Sequence, residues 1–192
     1  MTLADTDFAP LTVPSRTGEP LTLRAVRPAD EAAFQAAFQQ LSAESRYTRF
    51  MSVVRELTGD TLDRATHADG VREFALVAVA PGPDGDRIVA GGRYVAMPDT
   101  RHCEFAVTVV DAWQGHGLGR HLLAALKDAA AARGFDRMEG YVLSTNLAMR
   151  RLGARLGFSD EPMPGDATTR VLVAALGGDT RRAAASFSAA SR

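Results

Sequence analysis

Three glycines, Gly115, Gly117 and Gly119, stand within five positions, directly before an amphipathic helical pattern. The N-terminus of a helix binds anions because its N–H groups are unpaired and its dipole end is positive. Glycine lets backbone amides approach a phosphate because no Cβ stands in the way. The stretch is therefore predicted to bind a phosphate group, and a glycine-rich turn without a ligand is the alternative.

Three types of glycine loop compete for this stretch. A nucleoside-triphosphate loop needs a lysine and a hydroxyl residue after its last glycine, and Arg120 follows Gly119 here. A dinucleotide fingerprint follows the first strand of a βαβ unit, whereas this loop follows a predicted antiparallel meander. The third pattern is Q/R-x-x-G-x-G/A. Gln114, Gly117 and Gly119 match it, and the stretch resembles the pyrophosphate loop of the GNAT family of N-acetyltransferases.

A second motif extends this resemblance. The segment "NLAMRRLGARLGF", 146–158, carries the family's N-x-x-M/A-x-x-L…GF pattern. With both motifs in the family's order, the chain from about Leu21 to Leu176 resembles a GNAT domain. The segment "RAVRPADEAAFQAAFQQLSAESRYTRF" is similar to the opening of the acetyltransferase domain in bacterial protein lysine acetyltransferases.

The resemblance implies acetyl-CoA as the acyl donor and assigns residues to it. One strand is expected to pair its backbone with the pantetheine arm, the loop to hold the pyrophosphate, and an asparagine to contact the arm. The family commonly has arginine where His116 stands, so phosphate attraction is expected to be weaker here. The implied cofactor residues are Val107, Thr108, Val109, Gln114, Gly115, His116, Gly117, Leu118, Gly119, Arg120 and Asn146.

Glu104 is the candidate general base. An amine must be neutral to attack, and a lysine amine with a pKa of about 10.4 is neutral in roughly one molecule in a thousand at pH 7. The resemblance places the catalytic glutamate of the lysine acetyltransferases at this position. Strand alternation puts Glu104 and Phe105 on opposite faces, so one of them should point into the cleft. A solvated strand glutamate is the alternative.

The general acid common in the family is missing. Many members have a tyrosine immediately after the leucine that matches Leu152, and this chain has Gly153. The thiolate is then expected to leave unassisted or to take a proton from water. This absence and His116 favour a rival hypothesis, an acetyl-CoA-binding sensor module without turnover.

Other polar residues are expected to have no catalytic role. His116 and His121 lie about 140° apart on a helix, so no metal site is predicted. Cys103 is interpreted as a small buried apolar residue rather than an acyl carrier. Arg46 and Arg49 could line an acceptor cleft or lie on an exposed helix face.

The predicted fold class is α/β, an α+β mixed sheet: a mostly antiparallel twisted sheet, splayed at the cofactor cleft and flanked by helices. Residues 1–20 are predicted to be a lead-in, 21–176 a single acetyltransferase domain and 177–192 a flexible tail. The predicted strands are 21–27, 73–80, 87–96, 101–110, 137–144 and 168–176; the predicted helices are 28–41, 46–51, 58–67, about 118–133 and 146–158.

Composition excludes several classes of protein. The chain has 192 residues, 46% of them hydrophobic, a net charge of -1 and a pI near 6.4. This balance gives no electrostatic case for binding nucleic acid or an acidic membrane. No apolar run approaches the ~18 residues of a membrane span, and the N-terminus lacks a signal-peptide pattern. A single cysteine suits a reducing compartment, so a cytoplasmic location is predicted.

These observations predict an N-acetyltransferase that moves an acetyl group from acetyl-CoA directly to a primary amine. A backbone N–H near Val107 would polarise the thioester carbonyl. A protein lysine is the first choice of acceptor and a small amine is the second. Exposed strand edges at the splayed sheet make a homodimer plausible.

Overall fold

The computed structural model describes residues 8–15, 18–82 and 85–177. Within them, one eight-stranded sheet has the order β1-β2-β3-β4-β5-β6-β8-β7 and carries five α-helices. The predicted mixed α/β fold with a mostly antiparallel sheet is confirmed. The strands are β1 Leu11–Pro14, β2 Pro20–Ala25, β3 Glu73–Ala80, β4 Arg87–Ala96, β5 His102–Val109, β6 Arg137–Leu143, β7 Ser159–Met163 and β8 Asp166–Ala175; the helices are α1 Glu31–Gln39, α2 Ala43–Phe50, α3 Gly59–Thr66, α4 Leu118–Ala132 and α5 Leu147–Arg155.

Both faces of the central strands are covered. Seven of the eight residues of β3 are buried, since α4 packs on one face of the sheet and α1 on the other. Leu118, Leu122 and Leu126 of α4 recur every four residues and are at most 1% exposed. Such spacing presents one apolar stripe to the sheet. On the opposite face Phe34 and Ala37 of α1 contribute to a second apolar cluster.

The sheet splits between β5 and β6. These two strands are parallel and pair over only three residues, 102–104 with 137–139. Beyond that point β5 continues along β4 and β6 continues along β8. The Phe105 ring fills the apex of the wedge, where a Cβ at Gly140 would lie 2.5 Å from it. The ring also packs edge-on against Phe158 with centroids 5.2 Å apart.

Two strands were not predicted from the sequence. β1 lies inside the predicted lead-in 1–20, and β7 follows the second motif, where no strand was expected. Both are short edge strands that contain proline, which edge positions tolerate because one side needs no ladder bond. The second helix begins at Ala43, earlier than predicted, and Ser42 caps it by accepting a bond from the N–H of Ser45, as predicted.

The ends of the chain lie mostly outside the described residues. Of the predicted tail 177–192, only Gly177 is described. Among the described helices, none combines the length and apolar composition needed to cross a bilayer.

Candidate active site

One edge of β5 faces the split in the sheet. The N–H of Val110 donates to the carbonyl of Val89 on β4 at 3.0 Å. Backbone groups alternate sides along a strand, so those of Val107 and Val109 point away from β4, toward the side where β6 has diverged. The side chains of both valines pack on the α4 side of the sheet, so they are also part of the core. The side chain of Thr108 faces the opposite side.

Two glycines shape the loop after β5. Gly115 and Gly117 have φ angles of 77° and 86°, which L side chains rarely adopt. A Cβ at either would meet nothing within 4 Å, so the outer surface of the loop is open. Gly117 immediately precedes α4. The first N–H groups of a helix have no partner within the helix, so the start of α4 at Leu118 and Gly119 is suited to an anion.

The third glycine serves packing. A Cβ at Gly119 would lie 3.2 Å from Cδ2 of Leu152, so glycine lets the start of α4 approach α5 closely. The two sequence motifs therefore meet here, because Leu152 belongs to the second.

Gln114 ties the loop to the start of α2. Its Nε2 donates to Oδ1 of Asp111 at 2.8 Å and to Oγ of Ser45 at 3.1 Å. Asp111 also accepts from the Ser45 hydroxyl and from the N–H of Ser42. Burial acts to raise the pKa of Asp111, but these hydrogen bonds outweigh it and the pKa is lowered. The side-chain amide of Gln114 thus holds the loop, and its predicted contact with the cofactor stays a prediction.

Arg120, His116 and Asn146, which were also predicted to contact the cofactor, differ in exposure and hydrogen bonding. Arg120 is exposed on the first turn of α4. The ring of His116 packs edge-on against Trp113, 5.7 Å between centroids, and its buried Nδ1 has no hydrogen-bond partner among the described residues. Asn146 caps α5, because its Oδ1 accepts from the N–H of Met149 at 3.0 Å. Their roles toward the cofactor stay predictions.

Glu104 lies where β5 and β6 part. It is the last β5 residue paired with β6, opposite Glu139. Phe105 is 4% exposed in the core, so the exposed Glu104 points to the other face. Partial burial and then the charge of Glu139 raise the pKa of Glu104, while Arg49 and Arg93 act to lower it. A carboxylate made more basic in this way is better suited to accept a proton near neutral pH.

A second carboxylate beside Glu104 was missed from the sequence. Glu139 is 7% exposed and accepts hydrogen bonds from Nε of Arg137 at 3.1 Å and from the Tyr141 hydroxyl at 3.0 Å. Burial, followed by this bond to Glu139, raises the pKa of Tyr141. The signal was the alternation of the three polar residues in "RMEGYVL", which places them on one face of β6.

The face of the sheet that carries Glu104 also carries a cavity of about 140 Å³, and the lining residue nearest to Glu104 along β5 is Ala106. The cavity lies between helices α1, α2 and α3 and this face of the sheet. Ala106, Thr108 and Val110, on that face of β5, form part of its floor. The charged residues that line it are Arg49 and Arg93. Its larger apolar side chains include Phe34, Phe38, Leu41, Phe50, Leu57 and Ile88.

The position of the missing tyrosine faces the core. A Cβ at Gly153 would lie 2.9 Å from Cδ1 of Leu172 on β8 and 3.5 Å from Cβ of Phe158. A tyrosine here would require Leu172 to move. The absence of the general acid thus has a packing reason.

Cys103 and the cluster of ligand-type residues lie apart from the cavity. Cys103 is 0% exposed, and burial, with Glu139 second, raises the pKa of its thiol to about 12. The thiol is therefore a poor nucleophile. Glu31, Asp63 and His67 are the described ligand-type residues that approach within 4.8 Å of one another, and all three are exposed on α1 and at the end of α3.

Comparison with known proteins agrees with this geometry. The sequence profile of the acetyltransferase (GNAT) family matches residues 34–158. The chain belongs to the GNAT acetyltransferase family. The predicted family, fold and enzyme class are confirmed: the protein is an acetyl-CoA-dependent acyltransferase.

Similar proteins are bacterial acetyltransferases. An acetyltransferase of Pseudomonas aeruginosa is 32% identical over 151 residues, covering 79% of this chain and 81% of the relative. The acetyltransferase Pat of Mycolicibacterium smegmatis is 36% identical over 153 residues, 78% of this chain but 44% of Pat. The crystal structure of the GNAT domain of S. lividans PAT superposes with a TM-score of 0.78 at 26% identity, covering 87% of this chain and 97% of that one. The chain therefore spans less than half the length of Pat.

Proposed function

We propose that this acetyltransferase moves the acetyl group of acetyl-CoA directly to a primary amine, with Glu104 as the general base. The position of Glu104 carries this proposal. It lies where the sheet splits, on the face that carries the cavity, and its pKa is raised by burial and by Glu139. A base is needed because capturing the neutral form of a lysine-like amine at pH 7 costs about 4–5 kcal/mol.

The residues that would hold acetyl-CoA are on one side of the split. The β5 edge at Val107 and Val109 faces the split and offers backbone groups for amide hydrogen bonds to the pantetheine arm. The carbonyl of Val109 also accepts from Nε2 of Gln114 at 3.4 Å. The open glycine loop and the first N–H groups of α4 suit the pyrophosphate, and Arg120 adds a charge-assisted contact. Acetyl-CoA supplies the thioester, and the N–H of Val107 would polarise its carbonyl.

The leaving thiolate receives no proton from position 153. Glycine stands there and faces Leu172, so the proton comes from water in this proposal. Glu104 takes the proton of the amine, directly or through a water molecule. The candidate base Glu104 and the β5 edge that would bind the cofactor lie at the same end of the split. This arrangement supports an enzyme, whereas a sensor module without turnover needs no base there.

Similarity to other proteins favours a protein lysine as the first candidate acceptor. Two proteins similar to this chain are Pat and the GNAT domain of S. lividans PAT. The segment 24–50 also resembles the opening of the acetyltransferase domain in bacterial protein lysine acetyltransferases. A small amine is the second candidate, and the cavity of about 140 Å³ on the face of the sheet that carries Glu104 favours it.

Mass spectrometry of a deacetylase-inhibited lysate tests the proposal. Purified protein and acetyl-CoA are added, with Glu104→Gln in parallel. Lysines modified by the wild type and unmodified with the variant would support lysine transfer. Chemical acetylation needs no enzyme, so a sample without the protein gives the background. Equal modification by both proteins above that background would contradict the role of Glu104. No modification above background, with thiol release on adding small amines, would leave the second candidate.

A further inference from the structure

Arg49 is a positively charged group that the fold leaves without an acceptor. It lies in the last turn of α2 and lines the cavity, with its Cζ 5.0 Å from the centroid of the Phe50 ring. Across the described segments of the chain, no hydrogen bond or ion pair reaches its guanidinium. Burial, followed by the charge of Arg93, lowers its pKa to about 10, while Glu104 acts in the opposite direction.

The second arginine of the cavity differs in this respect. Nη2 of Arg93 contacts Oε2 of Glu73 at 2.7 Å, and its Nη1 donates to the carbonyl of Arg64 at 3.4 Å. Glu73 therefore satisfies Arg93 within the protein. A guanidinium has five N–H donors and no acceptor, and within the described residues those of Arg49 are not used in hydrogen bonds. Arg49 thus has unused capacity to bind an anion.

The cavity next to Arg49 is of a size for one apolar group. Its volume is about 140 Å³, and an apolar cavity of about 150 Å³ admits benzene. Phe34, Phe38 and Phe50 contribute aromatic walls. Leucine-sized and phenyl-sized groups therefore match the space.

Charge is ordered across the site. Arg49 lines the cavity, and Glu104 lies two residues before Ala106, which lines the same cavity from β5. A molecule that carries both a cationic amine and a carboxylate complements this order. The amine of a lysine side chain ends an uncharged chain and has no such anion of its own.

Resting on the proposed acetyl transfer, we infer that the acceptor site takes a small amino-carboxylate with an apolar side group. Its carboxylate binds the guanidinium of Arg49, and its apolar group fills the cavity. Its amine lies toward Glu104. Of the two candidate acceptors of the proposed function, this is the small amine, now specified as one that carries a carboxylate and an apolar group.

Matched acceptor pairs test this inference. Thiol release from acetyl-CoA is measured with leucine against 3-methylbutylamine and with phenylalanine against 2-phenylethylamine, each pair differing only by the carboxylate. The two amines of a pair lose their protons at different pH, so the readout is the kcat/KM ratio compared between protein variants. In Arg49→Gln we expect this ratio to fall at least about 30-fold from its wild-type value, as for loss of a charged hydrogen bond.

Arg55→Gln is the matched control, because Arg55 is an exposed arginine that does not line the cavity. Its ratio should equal that of the wild type. Arg49→Lys keeps the charge without the planar fork, and we expect an intermediate ratio. This variant keeps the test valid if Arg49→Gln folds poorly, which acetyl-CoA binding and a thermal melt would report.

The outcomes separate the inference from the function on which it rests. An unchanged ratio in both Arg49 variants would overturn the inference. Acetylation of lysate lysines without acetylation of any amino acid would overturn it too, but would leave the proposed function standing. No thiol release with amino acids, amines or lysate would contradict the proposed function itself.

Discussion

The two halves of the site are built differently. The candidate cofactor half consists of the β5 edge, the glycine loop and the starts of α4 and α5, and it offers mainly backbone groups from two short segments. The proposed acceptor half combines side chains from three helices, α1, α2 and α3, and from three strands. Together these elements extend over more than 70 residues of sequence, from Phe34 to Val110. Backbone binding constrains residue types at fixed spacing, which makes the first half visible as a motif. Side-chain binding depends on how distant elements dock.

One hydrogen-bonded cluster connects the halves. Asp111 and Gln114 belong to the loop, and both bond to Ser45 in the first turn of α2. The last turn of the same helix carries Arg49. The position of Arg49, the proposed acceptor-binding arginine, is therefore set partly by the loop that is expected to hold the cofactor.

The largest effect is expected at the border between the halves. In Gly140→Ala the new Cβ would lie 2.5 Å from the Phe105 ring, which Phe158 holds in place. Such overpacking typically costs about 1–3 kcal/mol, and we expect the upper part of that range in urea denaturation. Gly59→Ala is the control, since a Cβ there meets nothing within 4 Å and the residue begins α3. A Gly140→Ala variant as stable as Gly59→Ala would show that the border is looser than described.

A change in the loop should separate cofactor binding from stability. Gly117→Ala places a Cβ at a φ of 86° and onto the open surface of the loop. We expect the Kd for acetyl-CoA, measured by calorimetry, to rise at least about tenfold, because the amides can no longer approach the phosphates closely.

Gly165→Ala provides the matched control for the loop. Gly165 has a φ of 80°, equally open surroundings and a place in the β7–β8 turn, outside the site. Both variants should lose similar stability, while this one keeps its acetyl-CoA affinity. Equal affinity in the two variants would contradict the assignment of the loop to the pyrophosphate.

A smaller effect is expected from the second carboxylate. Removing the charge of Glu139 in Glu139→Gln takes away one of the causes that raise the pKa of Glu104. The acidic limb of the pH profile of kcat/KM should therefore move to lower pH, and the rate at the plateau should fall because the base is weaker. Glu161→Gln, on the exposed edge strand β7, should leave the limb in place. If the acidic limb of the pH profile does not move in Glu139→Gln, Glu139 does not tune the pKa of the catalytic base.

Sequence reasoning reached the first half of the site and part of the second. Glycine spacing predicted the loop. The motif around Leu152 identified position 153 as the one where many family members have a tyrosine. Arg49 was left between a cleft position and an exposed face, because helical periodicity does not tell where a short helix docks. Glu139 was missed because its approach to Glu104 depends on the register of two parallel strands from distant parts of the chain.

Comparing Glu104→Gln with the wild type tests the central claim most directly. Acetyl-CoA affinity and the rate of thiol release are measured together, using the amine that the wild type acetylates fastest. The account predicts an unchanged Kd and a rate lower by about 10²–10⁴-fold, the usual contribution of a general base. A variant that binds acetyl-CoA normally and still transfers the acetyl group at the wild-type rate would contradict the account.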